Sequence, residues 1–120
     1  MENETTYTGS CHCGAVAFEF TTAPIEAGLA CNCSHCHRKG FILTFLPKSQ
    51  FTLKSGEDNL TEYRFNKKQL AHQFCKTCGV QAFAFGTGED GTETAAINLR
   101  CVEGIDIDSL TLNRYNGKDV

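Results

Sequence analysis

Apolar and polar positions alternate along much of this chain, and the alternation predicts strands. In Ala15-Val-Ala-Phe-Glu-Phe20, Val16, Phe18 and Phe20 recur at every second position around Glu19, as in a strand buried on one face. Phe41-Ile-Leu-Thr-Phe-Leu46 is an apolar, β-prone run that Pro47 stops. Phe51-Thr-Leu53 and Leu60-Thr-Glu-Tyr-Arg-Phe65 read as strands on either side of the turn formers Lys54-Ser-Gly-Glu-Asp-Asn59. Ala71-His-Gln-Phe74 and Val80-Gln-Ala-Phe-Ala-Phe85 read as a strand pair joined by Cys75-Lys-Thr-Cys-Gly79. Thr94–Leu99 is a further strand, and Asp106–Leu110 predicts a short helical turn. Phe18, Phe20, Phe41, Phe45, Phe65, Phe83 and Phe85 are the expected core, since nothing else here supplies one. Long amphipathic helices, repeats and linkers are missing from the pattern. The expectation is a mainly β fold of small antiparallel sheets.

Length and charge narrow the partners. With 120 residues, one domain over 1–120 is expected. No apolar run nears the roughly 20 residues that cross a bilayer, and Met1-Glu-Asn-Glu-Thr5 lacks the marks of a secretory or transit signal. The net charge is −3 without any block of like charge, so neither nucleic acid nor membrane is an expected partner. A cytoplasmic location, where thiols stay reduced, is expected.

Cysteine changes the picture. Seven of the 8 cysteines lie in Cys11-His-Cys13, Cys31-Asn-Cys33-Ser-His-Cys36 and Cys75-Lys-Thr-Cys78. A disulfide needs sulfurs about 2.05 Å apart, which i and i+2 positions of an extended chain do not reach. A tetrahedral zinc, with Zn–S of about 2.3 Å, leaves sulfurs roughly 3.7 Å apart. Gly14 and Gly79 follow Cys13 and Cys78 as in zinc knuckles, where glycine turns backbone N–H groups toward sulfur. Zinc is therefore expected rather than long-range disulfides. Cys31, Cys33 and Cys36 can close on one metal locally, leaving Cys11, Cys13, Cys75 and Cys78 as a four-thiolate staple. Spacing by itself also permits the pairs to be exchanged.

Gly9-Ser-Cys-His-Cys-Gly-Ala-Val-Ala-Phe18, Cys31-Asn-Cys-Ser-His-Cys36 and Phe74-Cys-Lys-Thr-Cys-Gly79 together resemble the glutathione-dependent formaldehyde-activating enzyme family, whose domain is shared with centromere protein V. Lys39-Gly40, Leu60–Phe65, His72 and Asn98-Leu-Arg-Cys101 add to the likeness, which spans about 7–110 in motif order. The resemblance implies a β-tent fold pinned by two zinc ions per chain. It assigns structural zinc to Cys11, Cys13, Cys75 and Cys78, and reactive zinc to Cys31, Cys33 and Cys36. It also implies a carbon–sulfur lyase that makes or breaks S-hydroxymethylglutathione, so the expected partner is a small thiol or its aldehyde adduct. Two departures stand out. This chain is shorter than enzymes of that activity, and it has His37 where many members carry Arg.

A zinc with three thiolate ligands and an open position acidifies a bound thiol and serves as a Lewis acid. His37 and Arg38, directly after Cys36, are the candidate catalytic or substrate-holding residues, and His35 is a further local candidate. The competing reading for each histidine is a loop residue or a fourth zinc ligand. For Arg38 and Lys39 it is a solvated basic turn. His12 is expected to point away from the metal, and His72 to be a hydrogen-bonded structural histidine. Cys101 is expected to pack as a small apolar thiol, with redox chemistry as the alternative. A non-catalytic zinc domain for protein contacts is the other reading of the whole chain. Gly86-Thr-Gly88-Glu-Asp-Gly91 has dinucleotide-binding glycine spacing, but no helix follows it, and it is read as a loop.

Overall fold

A computed structural model describes residues 4–31, 38–63, 70–87 and 91–115. Ten strands are present among them: β1 (Thr5–Ser10), β2 (Ala17–Thr22), β3 (Ala27–Cys31), β4 (Leu43–Pro47), β5 (Phe51–Ser55), β6 (Leu60–Tyr63), β7 (Leu70–Cys75), β8 (Gln81–Thr87), β9 (Glu93–Asn98) and β10 (Thr111–Tyr115). They form a three-stranded sheet, β1-β2-β5, and a seven-stranded sheet, β10-β3-β4-β9-β8-β7-β6. Every pairing is antiparallel except β10 with β3. The mainly β expectation is met, and most expected strands lie within two residues of their places.

The core lies where the two sheets meet. Phe18 and Phe20 of β2 and Phe83 of β8 are each 1% exposed. Phe51 of β5 packs edge-on against Phe83, with ring centroids 4.9 Å apart, and Phe18 meets Phe83 edge-on at 5.6 Å. These edge-to-face contacts add to the large apolar area each ring buries. Phe41 is buried as expected, whereas Phe85 is only half-buried against the cluster and Phe65 lies outside the described residues.

Two expectations need correction, and two features of the sheets were not in the pattern. Phe45 is 48% exposed, because the β pleat sends it to the opposite face from Leu46, which takes the interior. The fourth strand begins at Leu43 and keeps Pro47, whose missing N–H is tolerated at the last position, opposite Thr94. The strands on either side of residues 56–59 do not pair with each other: β5 joins the small sheet and β6 the large one. Finally, β3 and β10 carry no alternation: β10 is a strand through its parallel pairing with β3, and β3 also pairs antiparallel with β4 at Leu29 and Leu43. The helical turn near residue 108 is a 3-10 turn, Ile107–Ser109, capped by Asp106 through the Asp108 N–H.

Candidate metal centre

Two matching turns build the site. Cys11, Cys13 and Gly14 lie between β1 and β2; Cys75 ends β7, with Cys78 and Gly79 before β8. In each turn the first cysteine donates its N–H to a valine carbonyl five residues on: Cys11 to Val16 and Cys75 to Val80, both at 3.0 Å. Each also accepts from the glycine, Gly14 to Cys11 at 3.3 Å and Gly79 to Cys75 at 2.9 Å. Gly14 and Gly79 have φ of 84° and 79°, a left-handed conformation that disfavours any residue with a Cβ. The three-residue and four-residue spacings thus give one geometry.

The four sulfurs of Cys11, Cys13, Cys75 and Cys78 lie within 4.8 Å of one another. Cys11 and Cys13 are 3.7 Å apart, and Cys13 and Cys75 are 3.6 Å apart, close to the edge of a tetrahedral zinc–thiolate site and far beyond disulfide length. All four are free thiols. Cys11 and Cys75 are buried, Cys78 is half-buried and Cys13 is exposed, so the site has an inner floor and an outer opening.

Backbone and side-chain donors converge on the sulfurs. Cys75 Sγ accepts from the N–H groups of Thr77 at 3.3 Å and Cys78 at 3.4 Å, and from Asn59 Nδ2 at 3.3 Å. Cys11 Sγ accepts from the Val16 N–H at 3.4 Å. The N–H groups of Cys78 and then Thr77 bring the Cys75 thiol down to about 6, and the Val80 N–H lowers Cys78. Cys13 accepts from the Ala15 N–H, which favours its thiolate. Desolvation and the neighbouring Cys75, Cys11 and Cys78 sulfurs outweigh that bond and hold it at about 11. The cluster therefore favours partial ionisation by itself and needs a cation to ionise fully. Sulfur spacing, donor set and softness all fit zinc.

Asn59 is the contributor the motifs do not announce. It stands in the turn before β6 and also bonds Thr77 Oγ1 at 3.1 Å, and its carbonyl takes the Lys76 N–H at 2.9 Å. The one available sequence signal was a turn-forming Asn directly before a strand that pairs with β7.

The other candidates separate. His12 is exposed and is not among the four ligands. His72 is 3% exposed, with Nδ1 2.8 Å from Gln81 Nε2, a buried hydrogen-bonded histidine as expected. Cys101 is half-buried and takes an Asn98 Nδ2 contact at 3.7 Å. Burial, then the Cys11 and Cys78 charges, push its thiol up to about 11, the reverse of a reactive thiolate. Arg38 and Lys39 are exposed, Lys39 Nζ lying 5.7 Å from the Phe74 ring centroid. Cys31 closes β3; its side chain, together with Cys33, His35, Cys36 and His37, lies outside the described residues. The glycine motif begins at the end of β8, which pairs with β7 and β9, and residues 88–90 also lie outside the described part.

Two packed β sheets closed by a four-cysteine knuckle pair define a small metal-site β protein. The model of the glutathione-dependent formaldehyde-activating enzyme family matches residues 6–109, and the chain belongs to that family. It is also similar to the crystal structure of a Rhodobacter sphaeroides protein, a structural genomics target. The two are 30% identical with a TM-score of 0.75, over 88% of this chain and 99% of that one. Among the described residues no helix is long and apolar enough to cross a membrane.

Proposed function

We propose that this chain, a single zinc domain, is a carbon–sulfur lyase acting on adducts of a small thiol and an aldehyde, with S-hydroxymethylglutathione as the model substrate. The observation that carries the reading is the completeness of the four-cysteine centre. Cys11, Cys13, Cys75 and Cys78 make a closed set, which leaves Cys31, Cys33 and Cys36 as a separate set of three. Membership of the family supports the glutathione-linked substrate class.

A second zinc held by Cys31, Cys33 and Cys36 would keep one position open and supply Lewis acidity and thiol activation. The reaction divides the S-hydroxymethyl adduct into free thiol and formaldehyde. It breaks the carbon–sulfur bond, moves the hydroxyl proton away and forms S–H, with no oxidant or reductant. The chain's own residues would hold the substrate and carry that proton. His37 is the proton carrier in this reading, since its imidazole changes charge near neutral pH. Arg38, exposed one residue on, pairs with a substrate carboxylate. Reduced thiols imply a reducing compartment such as the cytoplasm.

The test is exchange NMR of carbon-13 formaldehyde with glutathione, together with native mass spectrometry. Wild-type protein is expected to carry two zinc ions and to accelerate the interconversion. Cys36→Ser is expected to keep one zinc and lose the acceleration. A fully zinc-loaded wild type that leaves the exchange rate at its uncatalysed value would overturn the reading.

A further inference from the structure

The four sulfurs of the metal centre are not equivalent. Cys11 and Cys75 are 3% and 1% exposed, Cys78 is half-buried, and Cys13 faces solvent. Their donors are uneven too. Cys75 Sγ takes the Thr77 and Cys78 N–H groups and Asn59 Nδ2, and Cys78 takes the Val80 and Cys13 N–H groups. Cys11 takes the Val16 N–H, and Cys13 takes the Ala15 N–H. A Cβ on Gly14, directly after Cys13, would meet nothing within 4 Å beyond its chain neighbours, so the chain beside Cys13 is open to approach.

A third turn holds the knuckles without using Cys13. Gly56, with φ of 91°, lies so close to the first knuckle that a Cβ there would run into the Ala15 carbonyl and Val16 Cα. Beside it, Ser55 Oγ donates to the Ala15 carbonyl at 3.3 Å. Three residues on, Asn59 holds the second knuckle through Cys75 Sγ, Thr77 Oγ1 and the Lys76 N–H. The turn between β5 and β6 thus grips both knuckles. Cys11, Cys75 and Cys78 are seated by contacts in which the Cys13 side chain takes no part.

We propose that Cys13 is a modification site, the nucleophilic thiolate of the four-cysteine centre, which takes a soft carbon electrophile such as an α,β-unsaturated carbonyl compound. Cys13 belongs to the closed set, so this reactivity stands apart from the lyase reading. With zinc in place all four sulfurs are thiolates, and access and hydrogen bonding set their order of reaction. A thiolate that reacts gives up hydrogen bonds that its charge attracted, and Cys75, with donors from Thr77, Cys78 and Asn59, has the most to lose. Four thiolates around a divalent ion carry a net charge of about −2, which conversion of one of them to a thioether eases. In the step, Cys13 Sγ forms a bond to the β-carbon with its own electron pair, and the carbon–carbon π bond opens. The α-carbon then takes a proton from water, releasing hydroxide, and neither oxidant nor reductant enters. Cys11, Cys75 and Cys78 keep the metal.

The test treats zinc-loaded full-length wild type with N-ethylmaleimide, a compound of that class, at one equivalent and then in excess, with a chelated sample alongside. Native mass spectrometry counts adducts and zinc, and fragment spectra assign each adduct to its cysteine. Cys31, Cys33, Cys36 and Cys101 are scored separately in the same digest. Within the set of four, Cys13 is expected to react at least about 10-fold faster than Cys75, the factor of one hydrogen bond to a charged acceptor. Protein modified at Cys13 is expected to keep its zinc, with adducts at Cys11, Cys75 and Cys78 appearing only as zinc is released. A first adduct within the set at Cys11, Cys75 or Cys78 overturns the assignment. So does modification of all four together as zinc leaves, or four cysteines that react as fast in the zinc-loaded sample as in the chelated one.

Discussion

Asn59 Nδ2 stands 3.3 Å from Cys75 Sγ, a donor supplied to the metal centre by a turn outside both cysteine motifs. Groups that hold metal ligands in place without touching the metal typically contribute 10- to 100-fold in affinity. Asn59→Leu is expected to lower zinc affinity by about that factor, read by competition with a chromophoric chelator. Asn59→Asp, which places an acceptor against the thiolate, should weaken zinc at least as much.

Removal of zinc should unfold the protein. The four-cysteine centre joins the β1–β2 connection of the small sheet to the β7–β8 connection of the large one. A structural zinc–thiolate site contributes about 10–16 kcal/mol, which equals or exceeds the roughly 5–15 kcal/mol net stability of an ordinary domain. Chelation with a strong zinc ligand is expected to abolish the near-ultraviolet circular dichroism of the Phe and Tyr side chains. Cys75→Ser should reproduce that loss without chelator. A metal-free protein that keeps a cooperative melt near the holo midpoint would contradict it.

Cys101 gives the pH dependence. Its thiol is raised from 9.0 to about 11, by burial first and the Cys11 and Cys78 charges second. The unfolded chain loses this proton near 9 while the folded chain keeps it to about 11, so the folded state binds more protons in that window. Stability from this group is complete below pH 9 and declines as pH rises toward 11. Wild type should lose more denaturant midpoint between these pH values than Cys101→Ala. At neutral pH the folded protein should alkylate at Cys101 more slowly than an unperturbed thiol, because burial holds the thiol protonated. Mass-resolved iodoacetamide kinetics measure it.

Gly28 tests how β3 is seated. A Cβ there would run into Ile42 Cγ2 and crowd Leu99 Cδ1, 3.3 Å away. Leu99 is fully buried, so neither neighbour can withdraw freely. Gly28→Ala is expected to destabilise by about 1–3 kcal/mol, the usual cost of overpacking, seen as a lower urea midpoint at unchanged slope. Since β3 ends at Cys31, the same substitution should slow thiol–aldehyde exchange more than its loss of stability alone accounts for.

What the sequence determined is local. Cys-x-Cys-Gly and Cys-x-x-Cys-Gly set the two knuckles, because glycine alone readily takes the left-handed turn that brings N–H groups onto sulfur. Alternation placed Phe18, Phe20 and Phe83 inside, because a strand's side chains change face at every residue. Tertiary structure decided what joins across distance. Spacing left open which cysteine pairs share a metal; packing of the two sheets brought Cys13 within 3.6 Å of Cys75. It also recruited Asn59 to that sulfur and seated His72 against Gln81, contacts between strands that no local pattern encodes. Phe45 shows the same limit, an aromatic residue in an apolar run whose face only the register with Ala96 fixes. The parallel pair β3 and β10, from opposite ends of the chain, forms because an otherwise bare sheet edge offers β10 its hydrogen bonds, an opportunity that exists once the sheet has been built.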